Sequence, residues 1–197
     1  MHIISAVFVA GKDPYYGAGI GADSSMYQSR YAPTAVVGML GILLIQGFHE
    51  IEHITQVLQR SVFDIPKGAG ILGTWLDVEP VHVAYNALFL VLLAVVYLQG
   101  RFWERRSQEP IVFGMMTFSV LFQGYHFVEH MFKIVQFADT GMNGTPGILG
   151  HVFNLVWLHF AFNTIVFTSF VAAFVAGRWD RDVVALLRPK RTVASPA

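Results

Sequence analysis

Four apolar runs, at roughly residues 34–60, 78–100, 110–137 and 152–177, limit what this chain can fold into. Each reaches the ~20 residues an α-helix needs to cross the hydrocarbon layer of a bilayer at ~1.5 Å per residue. Only 13% of the 197 residues are charged, against about 25% in a soluble globular domain. The composition reads as an all-α integral membrane protein, a bundle of four transmembrane helices.

The positive charges orient the bundle. Ten of the thirteen Lys and Arg residues lie in three places: Lys12 and Arg30; Arg101, Arg105 and Arg106; and Arg178, Arg181, Arg188, Lys190 and Arg191. With four spans those segments share one side of the membrane, and the positive-inside rule makes it the cytoplasm. Both termini are expected there, in a bacterial-type inner or plasma membrane. Met1 to Ala10 has no basic stretch ahead of its apolar residues and does not read as a cleaved signal peptide. Absence of cysteine rules out disulfides and thiolate metal sites. The expected partners are the lipid bilayer and other membrane subunits or a second copy of the chain; nothing suggests nucleic acid.

Inside the first and third runs sits the same polar pattern. Gln46-Gly47-Phe48-His49-Glu50-Ile51-Glu52-His53 returns as Gln123-Gly124-Tyr125-His126-Phe127-Val128-Glu129-His130. On a helix, positions i, i+3 and i+4 share a face, so each segment presents two histidines and a glutamate together. The echo extends well beyond these octets. Gln59, Gly70-Ile71-Leu72-Gly73, His82 and Asn86 recur without a gap, 77 residues later, as Gln136, Gly147-Ile148-Leu149-Gly150, His159 and Asn163. Asp77 meets Asn154 at the same offset. The expected architecture is two tandem-duplicated helical hairpins related by a pseudo-two-fold axis along the membrane normal. Residues 1–33 form a cytoplasmic arm, 34–109 and 110–177 the two repeats, and 178–197 a basic cytoplasmic tail.

Counting from the cytoplasmic end puts His53 and His82 each roughly 28 Å up, and His49 and Asn86 each roughly 22 Å up. The second hairpin repeats the coincidence with His130, His159, His126 and Asn163. Imidazole and carboxylate at these depths suit a transition metal. The expected ligands are His49, Glu52, His53 and His82 with His126, Glu129, His130 and His159, the two glutamates serving as ligands or bridges of a paired or dinuclear centre. Gln46, Asn86, Gln123 and Asn163 are expected to orient the imidazoles. The first-choice ion is iron, acting by redox chemistry on oxygen or a lipophilic substrate; copper and zinc also fit. A zinc hydrolase and a non-enzymatic metal-binding, pigment-binding or ion-conducting subunit are the alternatives. Haem or chlorophyll fits less well, because a glutamate beside each histidine pair is a poor wall for a tetrapyrrole.

The remaining polar residues read more simply. Asp77 is expected to cap the second helix. Glu50, Glu79 and His151 have no counterpart at the 77-residue offset and read as loop-edge groups, and Lys133 reads as snorkelling outward. Trp75, Trp157 and Tyr85 read as packing or interface residues. The G-I-L-G segments read as close-packed backbone over the outer mouth of the site, and Val183 to Leu187 as an interfacial turn.

Overall fold

The computed structural model describes residues 29–66 and 68–188; most of the expected N-terminal arm and the end of the basic tail lie outside these. The chain forms helices α1 (Pro33–Ser61), α2 (Glu79–Gly100), α3 (Pro110–Thr140), α4 (Leu155–Ala176) and α5 (Trp179–Leu187), with short 3-10 turns at Gly73–Trp75 and Leu149–His151. No strand occurs among the described residues. Helices α1 to α4 are each long and apolar enough to cross a membrane.

Local chemistry explains the ends. Pro33 and Pro110 open α1 and α3, where the missing N–H has no intrahelical partner to lose. Asn154 caps α4, its side-chain oxygen accepting from the backbone N–H groups of Val156 at 3.1 Å and Trp157 at 3.4 Å. The expected cap on α2 is corrected. Val78 occupies that position, and Asp77 turns instead to His82, at 2.8 Å from its Nε2. Just past α2 and α4, Arg101 (φ 50°) and Arg178 (φ 52°) adopt left-handed backbone. They turn the chain so that Phe102 and Trp179 tuck beneath the bundle, both fully buried.

The four long helices pack as a ring in which α1 meets α2 and α4, and α3 meets α2 and α4. The interior divides in two. Toward the chain termini it is apolar, built from residues such as Met39, Leu93, Met116 and Phe170. Toward the α1–α2 and α3–α4 loops it is polar, and Gln46, His53, Asn86, Gln123, His126, His130 and Asn163 are all buried there. The outside of the ring is apolar over its whole length, with Leu44, Phe48, Leu121 and Val175 each more than 60% exposed.

Helix α5 is more than the interfacial turn expected at Val183 to Leu187. It begins at Trp179, with Asp180 and Asp182 in a first turn that favours negative charge. It packs on α1 and α4. The Tyr31 ring stacks on Trp179 with centroids 3.9 Å apart, and the Arg30 backbone N–H donates to Asp182 at 2.7 Å. The Tyr31 hydroxyl donates to Glu109; burial, reinforced by that carboxylate, pushes its pKa far above the usual phenol value.

Candidate metal centre

The polar half of the bundle is held by loop clamps and lateral amide bonds that match between the hairpins. Gln59 grips Gly70 with both ends of its amide, accepting from its N–H at 2.7 Å and donating to its carbonyl at 3.1 Å. Gln136 grips Gly147 at the same two distances. Glu52 then accepts the N–H groups of Ile71 at 2.9 Å and Leu72 at 3.2 Å, and Glu129 those of Ile148 at 2.8 Å and Leu149 at 3.0 Å. Charge-assisted bonds of this kind are about twice as strong as neutral ones. Between hairpins, Gln46 donates to Asn163 at 3.0 Å and Gln123 to Asn86 at 2.9 Å. Each asparagine donates onward, at 2.9 Å, to the backbone carbonyl of His82 or His159 one turn before it.

This scaffold gives Glu52 and Glu129 a structural role beside the expected one of ligand or bridge, and Glu129 Oε2 is buried without a hydrogen-bond partner. Their carboxylates face the turned G-I-L-G backbone, whose exposed N–H groups require acceptors, and so tie each loop to the helix that carries the histidines. The side chains of Gln46, Asn86, Gln123 and Asn163 likewise bond to one another and to backbone carbonyls rather than to imidazole nitrogens.

The histidines themselves converge. Side-chain nitrogens of His126, His130 and His159 all lie within 4.8 Å of one another, with His126 and His130 buried. His130 Nε2 is 3.2 Å from His126 Nε2. Two imidazoles meeting in this way share one hydrogen at most, or one metal ion. Metal–nitrogen bonds of about 2.0–2.1 Å at tetrahedral angles separate two ligand nitrogens by about 3.3 Å, so the pair has the spacing of ligands.

His49 and His53 form a similar pair in the first hairpin, Nε2 to Nε2 at 3.1 Å, with His53 Nδ1 against Gln56 Oε1 at 2.9 Å. Their expected partner His82 lines one cavity with His53 and another with His49. It is held by Asp77 and stacks on His130 at 5.6 Å and His159 at 6.1 Å between centroids. His53 in turn faces His159 at 6.1 Å. The six histidines thus form one chain of ring contacts running across both hairpins.

Two residues read from sequence as peripheral lie within it. Lys133 is 2% exposed rather than snorkelling; its ammonium pairs with Glu79 Oε1 at 2.7 Å and sits 3.3 Å from His159 Nε2. Glu79 is 3% exposed, and its other oxygen lies 3.6 Å from His130 Nδ1. At that distance the contact is an ion-pair approach, which sets a carboxylate where it would orient His130 if the ring held a metal ion. The signal was available: Lys133 and Glu79 are opposite charges placed where the 77-residue offset has Gln56 and Val156. Tyr85, which reads from sequence as packing, joins the site: its ring stacks on His49 at 4.1 Å and its hydroxyl donates to Gln46 at 3.2 Å. Of the other unmatched groups, Glu50 is buried and accepts from Thr164 at 2.5 Å, while His151 is exposed.

No protein-family model, no curated protein and no solved structure matches this chain. The site's geometry therefore carries the functional reading.

Proposed function

We propose that this chain is an integral membrane metalloprotein, two tandem-duplicated hairpins enclosing a transition-metal centre whose principal ligands are His126, His130 and His159. The convergence of three imidazoles, one pair already at ligand spacing, carries the reading. Four apolar helices with an apolar exterior support insertion, and the arginine-rich connector and tail favour cytoplasmic termini. The matched clamps and amide pairs support duplication.

Iron is the favoured ion: when bound with open positions it would supply redox chemistry on oxygen and a lipophilic substrate. The chain's own residues prepare that setting. Glu79 stands behind His130, Lys133 balances the Glu79 charge, and the loop clamps hold α1 and α3 rigid beside the cluster. Three histidines by themselves leave copper and zinc open.

The test is metal content with an optical spectrum of detergent-purified protein after loading with Fe(II), Cu(II) or Zn(II). About one ion per chain is expected, lost in His126→Ala or His130→Ala and kept in His49→Ala. Two ions per chain would extend the centre to His49, His53 and a released His82, the paired arrangement. A Soret or pigment band, or folded protein that takes up no metal, would overturn the proposal. A colourless protein selective for zinc would remove the redox chemistry and favour the hydrolase.

A further inference from the structure

The first hairpin carries an opening that the metal reading leaves unused. Between α1 and α2 lies a cavity of about 360 Å³, within the usual ~300–1,000 Å³ of small-molecule sites. Its walls are apolar and face outward, with Phe48 74% and Leu72 58% exposed, and Ile45 and Val81 beside them. Three flat polar rings, His49, Tyr85 and His82, also line it. His82 in turn stacks on His130 and His159. A molecule against His82 is therefore one imidazole away from the candidate metal ligands.

We propose that this groove binds a lipophilic hydroxylated aromatic ring, of the phenol or quinol class, entering from the bilayer. The inference rests on the membrane metalloprotein reading above. Apolar walls alone would suit any acyl chain, but the rings favour a flat partner that stacks. The carboxylates of Asp77 and Glu52 line the same groove, so its polar atoms are mainly acceptors and favour a ligand with an O–H to donate.

The matched region of the second hairpin is built differently. His126, at the position of His49, is 0% exposed and stacks at 4.9 Å on Phe162, the residue at the position of Tyr85. Tyr125 and Phe122 pack edge-on against that same Phe162 ring, at 5.9 Å and 5.5 Å. Aromatic side chains thus cover the imidazole proposed to hold metal, whereas the hydroxyl of Tyr85 belongs to the open side.

The experiment is calorimetric titration of the metal-loaded protein in lipid nanodiscs with 4-decylphenol, decylbenzene and decanoic acid. Saturable binding of the phenol is expected, at least tenfold tighter than either comparator. Val81→Trp, which fills the groove, and Leu76→Trp at its rim should each weaken phenol binding at least tenfold while bound metal is retained. Equal affinity for the phenol and decylbenzene, tighter binding of the acid, or undiminished phenol binding in both tryptophan variants would overturn the proposal. Metal analysis of the same samples separates failure of the groove from failure of the metal centre.

Discussion

Glu52 and Gln59 hold the loop of the first hairpin as Glu129 and Gln136 hold that of the second, with corresponding hydrogen bonds agreeing to about 0.2 Å. Around the histidines the two hairpins part. His82 has the carboxylate of Asp77 as its neighbour, while His159 has the ammonium of Lys133. Gln56 supports His53, whereas the residue matched to it, Lys133, reaches Glu79 across the α2–α3 contact. The lesson is that residues holding backbone are shared, and the differences concentrate in charges that touch imidazoles. A symmetric scaffold carries an asymmetric site.

The largest expected effect comes from removing that asymmetry by halves. Lys133→Gln installs the residue found at position 56 and leaves Glu79 buried without its cation. Breaking one side of a buried ion pair costs about 3–5 kcal/mol, because the remaining charge stays desolvated. Adding Glu79→Val, the residue found at position 156, should recover most of that loss, since both charges are then gone. Thermal unfolding in detergent of the two single variants and the double variant checks this. A Lys133→Gln protein as stable as the parent would mean that the pair is not an energetic unit. The double variant also removes the carboxylate behind His130 and should weaken metal binding about 10–100-fold even where it folds well.

The second prediction probes the shared scaffold. Gly70 and Gly147 have φ of 77° and 67°, and a Cβ at either would run into the carboxylate of Glu52 or Glu129. Alanine there costs about 1–2 kcal/mol for left-handed backbone, and displacing the carboxylate loses a further ~1.5–3 kcal/mol of charged hydrogen bonding. Gly70→Ala and Gly147→Ala should therefore each destabilise by about 2.5–5 kcal/mol, Gly147→Ala somewhat more because its Cβ would also press on the Lys133 stem. A difference above about 1.5 kcal/mol in unfolding free energy would show that one loop bears more load than its matched geometry implies.

Much of this was legible in the chain. Four apolar runs announced four long helices, and Q-G-aromatic-H-x-x-E-H marked the turns that carry the polar core. Partner choice was harder to read. Depth counting along straight helices gives the level of each residue but not its direction around the axis, so it paired His53 with His82 inside one hairpin. In the folded chain His53 faces α4, and His82 faces both α3 and α4. Glu52 and Glu129 read only as metal ligands because the backbone N–H groups they also bind leave no mark on side-chain identity. The glycines 18 residues downstream of each glutamate were the available hint. Lys133 looked peripheral because lysine in an apolar helix usually snorkels; Glu79, distant in sequence, holds it inside.

The smallest expected effect sharpens the comparison most finely. Gln46 and Gln123 each donate to an asparagine of the other hairpin, at 3.0 Å and 2.9 Å. Interhelical side-chain hydrogen bonds in membrane bundles average about 0.6 kcal/mol and reach about 1.7. Leucine at either position should then cost about 1 kcal/mol, read as a small drop in unfolding temperature. The two costs should nevertheless be unequal. Gln46 also accepts the Tyr85 hydroxyl at 3.2 Å, while the residue matched to Tyr85 is Phe162, which has no hydroxyl to donate. Gln46→Leu strips a partner from both Asn163 and Tyr85, so it should be the more costly change by a few tenths of a kcal/mol. Adding Tyr85→Phe to each leucine variant tests the cause. The difference between the two should vanish in the phenylalanine background, and its persistence there would assign it to packing around Gln46 instead of to the hydroxyl.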